Sequence, residues 1–418
     1  MKKCQNRRSI LLSNRFSEVN MSLPGKRILR IPFGIPAGAA VIAAALFFWA
    51  GPQVFSQAVS ANPQEAPAKP QAKRPLTPEQ QELLKLGQQI RDLQAKYFAL
   101  RAALPEPRAK SDMDNKQKDD ALIGQLCSGA VSFQKISYAS PVDGLQIPAY
   151  LFQPISPRGP KGHPALIWVH GGVHSSFSSS AIPFIRQAVD RGYIIIAPDY
   201  RGSTGYGVAY YEAIDYGGYE IDDAMAAIDY LKANVPAVDM DRIGMIGWSH
   251  GGFITLHSLI RDQGKIFKCG YAGVPVTNLV FRLSYKGPDY QAAYVTERRI
   301  GGAVHEKRDI YIERSPVYHV DKIKVPVMVH VATNDQDVNF VEDQMMIHAL
   351  EYHIPRLAET KIYVDPPGGH SFDRLVNKEK TAPQNTPAQR DSWNRIWTFL
   401  ETNLKPYIGA DGKTVEGK

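Results

Sequence analysis

Arg242-Ile243-Gly244-Met245-Ile246-Gly247-Trp248-Ser249-His250-Gly251-Gly252 is the stretch on which the reading of this chain turns. A short apolar run enters Gly-x-Ser-x-Gly, and a segment that reads as a helix, Phe253 to Ile260, leaves it. Strand, glycine-flanked serine and helix together form a nucleophile elbow. The turn holds the serine in a strained backbone conformation, and side chains at the flanking positions would collide, so Gly247 and Gly251 fit there. The serine hydroxyl is thereby pushed into the open at the C-terminal edge of a sheet, over the first amides of a helix. A glycine-rich helix start that merely contains serine is the competing reading, and the strand and helix on either side argue against it.

Outward from the elbow, apolar strands alternate with helices. Phe133–Tyr138 and Leu145–Phe152 read as a hairpin around Pro141-Val142-Asp143-Gly144. Strands follow at Ala165–Val169, Tyr193–Ala197, Cys269–Val274, Val325–Val331 and Ile362–Val364, with helices near Ile182–Arg191, Ile221–Ala233, Val341–His353 and Ala388–Leu404. Fully apolar strands alternating with helices predict an α/β fold with a mostly parallel, doubly wound sheet covered on both faces. The chemistry of such sheets gathers at the C-terminal ends of the strands.

Three loops at those ends carry the candidate site. His170-Gly171-Gly172-Val173 follows the Ala165 strand, and its glycines let backbone N–H groups face a developing negative charge. In an elbow enzyme the oxyanion is held by the amide after the nucleophile, here His250, and by one from this loop, here Gly172. Partners of the serine follow it in the order acid, then histidine. Of the later histidines, His257 lies on the elbow helix, and His305 and His319 lie ahead of the Val325 strand. His330 lies within that strand, and His348 and His353 lie on the next helix. His370 alone follows the final strand, in Pro366-Pro367-Gly368-Gly369-His370-Ser371-Phe372. The loop after the preceding strand offers Asp335 and Asp337, with Asp335 nearer the strand end. A carboxylate there orients the imidazole that takes and returns the serine proton. Asp199-Tyr200-Arg201-Gly202-Ser203-Thr204-Gly205-Tyr206-Gly207 lacks the Gly-Lys-Ser/Thr ending of a phosphate loop and reads as a structural rim, with Arg201 salt-bridged inside the fold. No histidine–carboxylate grouping has zinc spacing, and neither metal nor cofactor is expected.

The amino-terminal part reads differently. Lys26, Arg27 and Arg30 precede a charge-free apolar run over residues 37–50, and Val59-Ser60-Ala61 has the small-x-small form of a signal-peptidase site. The chain from Met21 would make a complete signal peptide by itself. An uncleaved membrane anchor is the rival for residues 1–61, though the run is short and interrupted by Pro32, Pro36 and Pro52. Both readings place the remainder outside the cytoplasm: periplasmic, secreted, or anchored and facing outward. Residues 1–61 hold eight Lys/Arg against Glu18 alone, a net of +7, which leaves +1 of the overall +8 for the rest. The basic balance is therefore a property of the leader and does not argue for nucleic acid.

Residues 62–76, rich in Pro, Ala, Gln and Lys, read as a disordered tether. A helix over 77–104 is capped by Thr77, with Pro78 at its first position and Gln80 completing a capping box. Leu83, Leu86, Ile90, Leu93, Tyr97, Leu100 and Leu104 make a coiled-coil-like seam that pairs with a second copy or lies on the main domain. Residues 105–125 are highly charged and read as a linker, 126–408 as the catalytic domain and 409–418 as a flexible tail. Of the three cysteines, Cys4 falls in the leader, while Cys127 and Cys269 are read as buried thiols rather than a disulfide framework.

His170-Gly171-Gly172, the Asp199–Gly207 loop, Gly247–Gly252, Thr296-Glu297-Arg298-Arg299-Ile300-Gly301, Ser315-Pro316, Asp335–Val338 and Gly369-His370-Ser371-Phe372 run in one order over Phe133 to Leu404. In that order they resemble the prolyl oligopeptidase (S9) family, specifically its α/β-hydrolase catalytic domain. The resemblance implies a serine peptidase or related esterase with Ser249, Asp335 and His370 as its triad. Family members usually carry a β-propeller, and the stretch ahead of residue 126 is too short for one. The family often places tyrosine after the nucleophile, where this chain has His250. It also sets an aromatic pocket wall where Val295 stands, with Tyr294 one position away. Trp248, Tyr294 and Val295 are the substrate-binding candidates that the resemblance implies. The reading is thus an exported serine hydrolase that cleaves short peptides. A carboxylesterase on small or polymer-linked acyl esters, and a non-catalytic module that binds through the Leu83–Leu104 seam, are the alternatives.

Overall fold

The structure, a computed structural model, describes residues 21–22, 28–29, 77–78, 81–82, 85–86, 107–295, 299–408 and 413–414. It divides into two units, Met1–Leu84 and Lys85–Lys418. In the first, Met21–Ser22 pairs antiparallel with Ile28–Leu29, and Gln81 N bonds Thr77 O at 2.9 Å where a helix begins. The tether, most of the leader and most of the Leu83–Leu104 seam lie outside the described residues. Among the described residues, no helix is long and apolar enough to cross a membrane.

The second unit is built on eight strands: β1 (Ser132–Ala139), β2 (Gln146–Gln153), β3 (His163–Val169), β4 (Ile194–Pro198), β5 (Val238–Trp248), β6 (Phe267–Gly273), β7 (Val327–Ala332) and β8 (Ala358–Tyr363). Their spatial order is β8-β7-β6-β5-β3-β4-β2-β1. The β1–β2 hairpin joins antiparallel, β2 meets β4 antiparallel, and the remaining pairs are parallel. The expected doubly wound α/β sheet is therefore present, with an antiparallel hairpin on one edge.

Period-two alternation divides the core in two. From β3, Ala165, Ile167 and Val169 join one cluster, which includes Phe253, Ile254 and Leu256 of the helix α4 (His250–Asp262). Leu166 and Trp168 point the other way, into a cluster with Phe184 and Ile185 of α2 (Ile182–Asp190) and Trp393, Trp397 and Leu400 of α8 (Pro387–Leu404). Apolar side chains on both faces explain why the central strands lack polar alternation.

Residues 105–125 correct the sequence reading. Pro107–Cys127 is a helix, α1, and its last turns bury Ile123 and Cys127 in the second cluster. Burying a side chain such as Ile123 contributes roughly 1.5–3 kcal/mol. Three of the charges that suggested a solvated linker, Lys116, Asp119 and Asp120, have partners in the fold. Asp119 accepts from Ser179 N at 2.8 Å, Asp120 accepts from Tyr150 Oη at 2.6 Å, and the Lys116 side chain is 4% exposed. Buried partners, invisible in the local sequence, convert a polar helix into a docked one.

Candidate active site

The elbow is formed as β5 turns into α4. Ser249 has φ 56° and ψ −118°, a conformation that L-residues rarely adopt. It is held there because Ser249 N donates to Gly273 O at 2.9 Å and its own carbonyl accepts from Phe253 N at 3.0 Å. A side chain at Gly251 would run into the carbonyls of Val169 and His170, and one at Gly247 into the backbone of Gly251. These glycines are required by close approach of backbone to backbone.

His370 sits on a short turn after β8, where Gly368 has φ 95°. Its Nδ1 lies 2.7 Å from Asp335 Oδ2. A carboxylate can only accept, so the ring donates from Nδ1 and leaves Nε2 as the proton acceptor. Asp335, in the loop after β7, is fixed in turn: its Oδ1 accepts from Asp337 N at 2.8 Å and Val338 N at 2.9 Å. Asp337 contributes that amide while its side chain is exposed. Asp335, Asp337 and His370 place one potential ligand atom each within 4.8 Å of one another. The His370–Asp335 hydrogen bond uses two of those atoms.

The loop that carries His370 reaches the elbow at Trp248. Trp248 Nε1 donates to Asp373 Oδ2 at 2.7 Å, and the Arg374 guanidinium lies 5.8 Å from the Trp248 ring. The loop carrying His370 is therefore pinned to the residue before the nucleophile. Among the described contacts no hydrogen bond joins Ser249 Oγ to the ring, and such bonds commonly tighten only when substrate is bound.

The glycine loop meets the elbow from the other side. A side chain at Gly171 would meet Trp248 O at 2.8 Å and Ser249 Cβ at 3.2 Å. Gly172 has φ 68°, and Tyr200 Oη lies 2.9 Å from Gly172 O and 3.2 Å from His170 O, donating to both. The carbonyl that shares a peptide with the Gly172 amide is that of Gly171, which His170 Nδ1 meets at 2.9 Å, so the Gly172 N–H points the other way. His250 opens α4, so its N–H has no partner within the helix.

Behind that amide the His250 ring is 6% exposed, with Nε2 3.4 Å from Glu220 Oε1, close enough to attract but making no hydrogen bond. Burial pushes the Glu220 carboxyl up, yet the attraction of His250 and bonding from the Gly217 amide outweigh it and bring the carboxyl down to about 2. Glu220 and Asp373 were not legible beside the elbow, since each reaches it through a partner distant in sequence, His250 and Trp248. Arg201 does pair inside the fold, with Asp223 at 2.7 Å and Asp143 at 3.1 Å.

The pocket candidates separate. Trp248 is 2% exposed and its indole N–H is taken by Asp373, so it supports the elbow and offers substrate no surface. Tyr294 is 1% exposed and its hydroxyl lies 3.1 Å from that of Tyr290, so it too is packed inside the fold and offers substrate no surface. Val295, at the end of the helix Pro288–Val295, is 40% exposed.

A model of the prolyl oligopeptidase family matches residues 176–404. The uncharacterized peptidase YuxL of Bacillus subtilis is 26% identical over 243 residues, 58% of this chain and 36% of that protein. The acylamino-acid-releasing enzyme of Homo sapiens is 26% identical over 279 residues, 65% of this chain and 35% of that one. The chain thus spans little more than a third of the length of these curated relatives. Among solved structures, the uncomplexed acylaminoacyl peptidase of Pyrococcus horikoshii superposes with a TM-score of 0.54 at 20% identity, covering 68% of this chain and 44% of that one. A puromycin-hydrolyzing peptidase of Mycobacterium tuberculosis gives 0.53 at 24%, covering 66% and 40%. At these identities the structural likeness is one of fold.

Proposed function

Because the chain belongs to the prolyl oligopeptidase family, and is on that ground a serine-type hydrolase with an α/β-hydrolase domain, we propose that it is an exported peptidase cleaving short peptides through an acyl-enzyme on Ser249. The observation that supports this reading is a strained Ser249 together with a His370–Asp335 pair on a loop tied to Trp248, the residue before the serine.

The steps follow from those atoms. Ser249 Oγ attacks the scissile carbonyl carbon as His370 Nε2 takes its proton. Asp335 steadies the imidazolium through Nδ1–H. The oxyanion is received by the His250 and Gly172 amides, donors that need no reorganisation as charge appears. His370 then passes the proton to the departing amine, and water, activated by the same ring, releases the acyl group.

Relatives named for releasing acylated amino acids or hydrolyzing puromycin point to short, amide-linked substrates. A carboxylesterase would use the same machinery. The exposed Val295, standing where the family sets an aromatic wall, favours that second reading, with Tyr294 itself buried. Export rests on the apolar run and small-x-small site of the leader, and a periplasmic or secreted fraction containing the protein would support it.

Labelling with a fluorophosphonate tests the hydrolase reading. Uptake by the wild-type chain and none by Ser249→Ala is expected. Equally little uptake by both would leave only an interaction module. Parallel turnover of N-acyl aminoacyl amides and p-nitrophenyl esters separates peptidase from esterase, and brisk ester cleavage with no amide cleavage would sink the peptidase assignment.

A further inference from the structure

Helix α1 lies outside the 176–404 stretch matched by the family, yet it sends a buried lysine toward the glycine loop of the site. Lys116 Nζ lies 3.1 Å from Asp199 Oδ2, donates to Phe177 O at 2.8 Å, and sits 4.6 Å from the centre of the Tyr150 ring. Its stem packs on Gly205, where any side chain would strike Lys116 Cβ. Asp199 is fully buried, and it also accepts from Tyr206 Oη at 2.6 Å and from Phe177 N. Its Oδ1 lies 3.4 Å from His170 Nε2, a nitrogen whose hydrogen bond goes to Ser203 Oγ at 2.9 Å. The His170 ring lies flat on Tyr200 at 4.3 Å, and Tyr200 holds the His170 and Gly172 carbonyls.

We propose that Lys116 is a positioning residue for the oxyanion loop: acting through Asp199, it fixes His170 and with it the Gly172 amide, so that α1 is part of the catalytic unit. The inference rests on the serine-hydrolase reading of Ser249 and Gly172. Among the described residues, Lys116 is the only lysine or arginine within ion-pair distance of Asp199, because the nearby Arg201 is committed to Asp223 and Asp143. A buried carboxylate stripped of its cation is strongly unfavourable. Asp199 would relieve that cost by drawing His170 Nε2 off Ser203 Oγ toward itself, which moves the first residue of the loop. A displacement of about 1 Å at a reacting centre costs on the order of a hundredfold in rate.

The test uses the full chain, p-nitrophenyl acetate as substrate and a fluorophosphonate to label Ser249. Lys116→Met is expected to lower kcat by about ten- to a hundredfold, with KM within about threefold and labelling slowed in parallel. Lys116→Met combined with Asp199→Asn is expected to recover much of the loss, because the uncompensated charge is gone. Lys380→Ala is the control: it cuts a different tie to α1, from Lys380 Nζ to Asp119 at 3.3 Å and Ser179 at 2.7 Å, and does not touch Asp199. It is expected to lower Tm while leaving kcat within about twofold.

An unchanged kcat in Lys116→Met, or a loss matched by Lys380→Ala, overturns the proposal. If Lys116→Met does not fold, recovery of folding in the double variant supports it and continued insolubility overturns it. A wild-type chain that neither labels nor turns over the ester fails at the hydrolase reading. A wild type that labels at the same rate as a folded Lys116→Met fails only here.

Discussion

Trp248 and Asp373 are joined by a 2.7 Å hydrogen bond between the indole N–H and a fully buried carboxylate. One partner immediately precedes the nucleophile, and the other lies three residues after the base. The same carboxylate oxygen accepts from Tyr271 Oη at 2.8 Å, and the Asp373 carbonyl accepts from Trp393 Nε1 at 2.6 Å. The loop that delivers His370 is thus fastened to β5, β6 and α8 at one residue. Asp373→Ala leaves two buried donors without an acceptor, each costing about 1–3 kcal/mol. Ester turnover is expected to fall by about tenfold or more, carried by kcat. Asp373→Asn keeps an acceptor facing both donors and is expected to stay within about threefold. Steady-state rates with thermal unfolding of both variants check the contrast, and equal losses would remove Asp373 from any role in placing His370.

Asp335 and Asp337 stand two positions apart in sequence, and the sequence favours Asp335 only as the one nearer the strand end. The structure sets Asp335 against His370 at 2.7 Å and leaves the Asp337 side chain exposed. Asp335→Asn is expected to cost on the order of 10⁴ in kcat, the effect of an imidazole held in the wrong tautomer. Asp337→Asn should remain within about threefold, since its amide supplies the bond to Asp335. Comparable losses in both would mean that the loop, and not one carboxylate, orients the ring.

The elbow glycines predict a steric result. Gly251→Ala would push a methyl group into the carbonyls of Val169 and His170, with rigid backbone on both sides. Overpacking of this kind costs about 1–3 kcal/mol where neighbours can yield, and more where they cannot. The variant is expected to be inactive and either insoluble or lowered in Tm by several degrees. Gly159→Ala, with open space around it, is the matched control and should be neutral in both respects.

How much of this was legible in the sequence follows from where each partner lies. The strands were readable because β3, β4 and β5 are apolar on both faces, and the elbow because its glycines sit at fixed offsets from Ser249. Ser249, His370 and the loop holding Asp335 could be placed because the chain order of this fold dictates their positions. Helix α1 was not legible: Lys116, Asp119 and Asp120 look solvated until Asp199, Ser179 and Tyr150 arrive from far along the chain. Trp248 misled for a related reason. The resemblance suggested a pocket residue, but the direction of its side chain is set by Asp373, which sequence spacing does not reveal.

Glu220 gives the chain a pH-dependent contribution to stability whose sign can be worked out. Its carboxyl lies at about 2 in the folded protein and at 4.5 when unfolded. A depressed acid stabilises fully above the unfolded value, and the contribution drains away as pH falls from about 4.5 toward 2. The shift corresponds to on the order of 3 kcal/mol. Glu220→Gln should therefore be less stable than wild type at pH 7, and the two unfolding free energies should converge as the pH approaches 2. The gap arises at the His250 ring behind the oxyanion amide, so the same substitution should also lower kcat by a few-fold at pH 7. Denaturant titrations of both proteins at pH 7, 5 and 3 measure the gap directly, and a difference that stays constant or widens on acidification would remove Glu220 as its source.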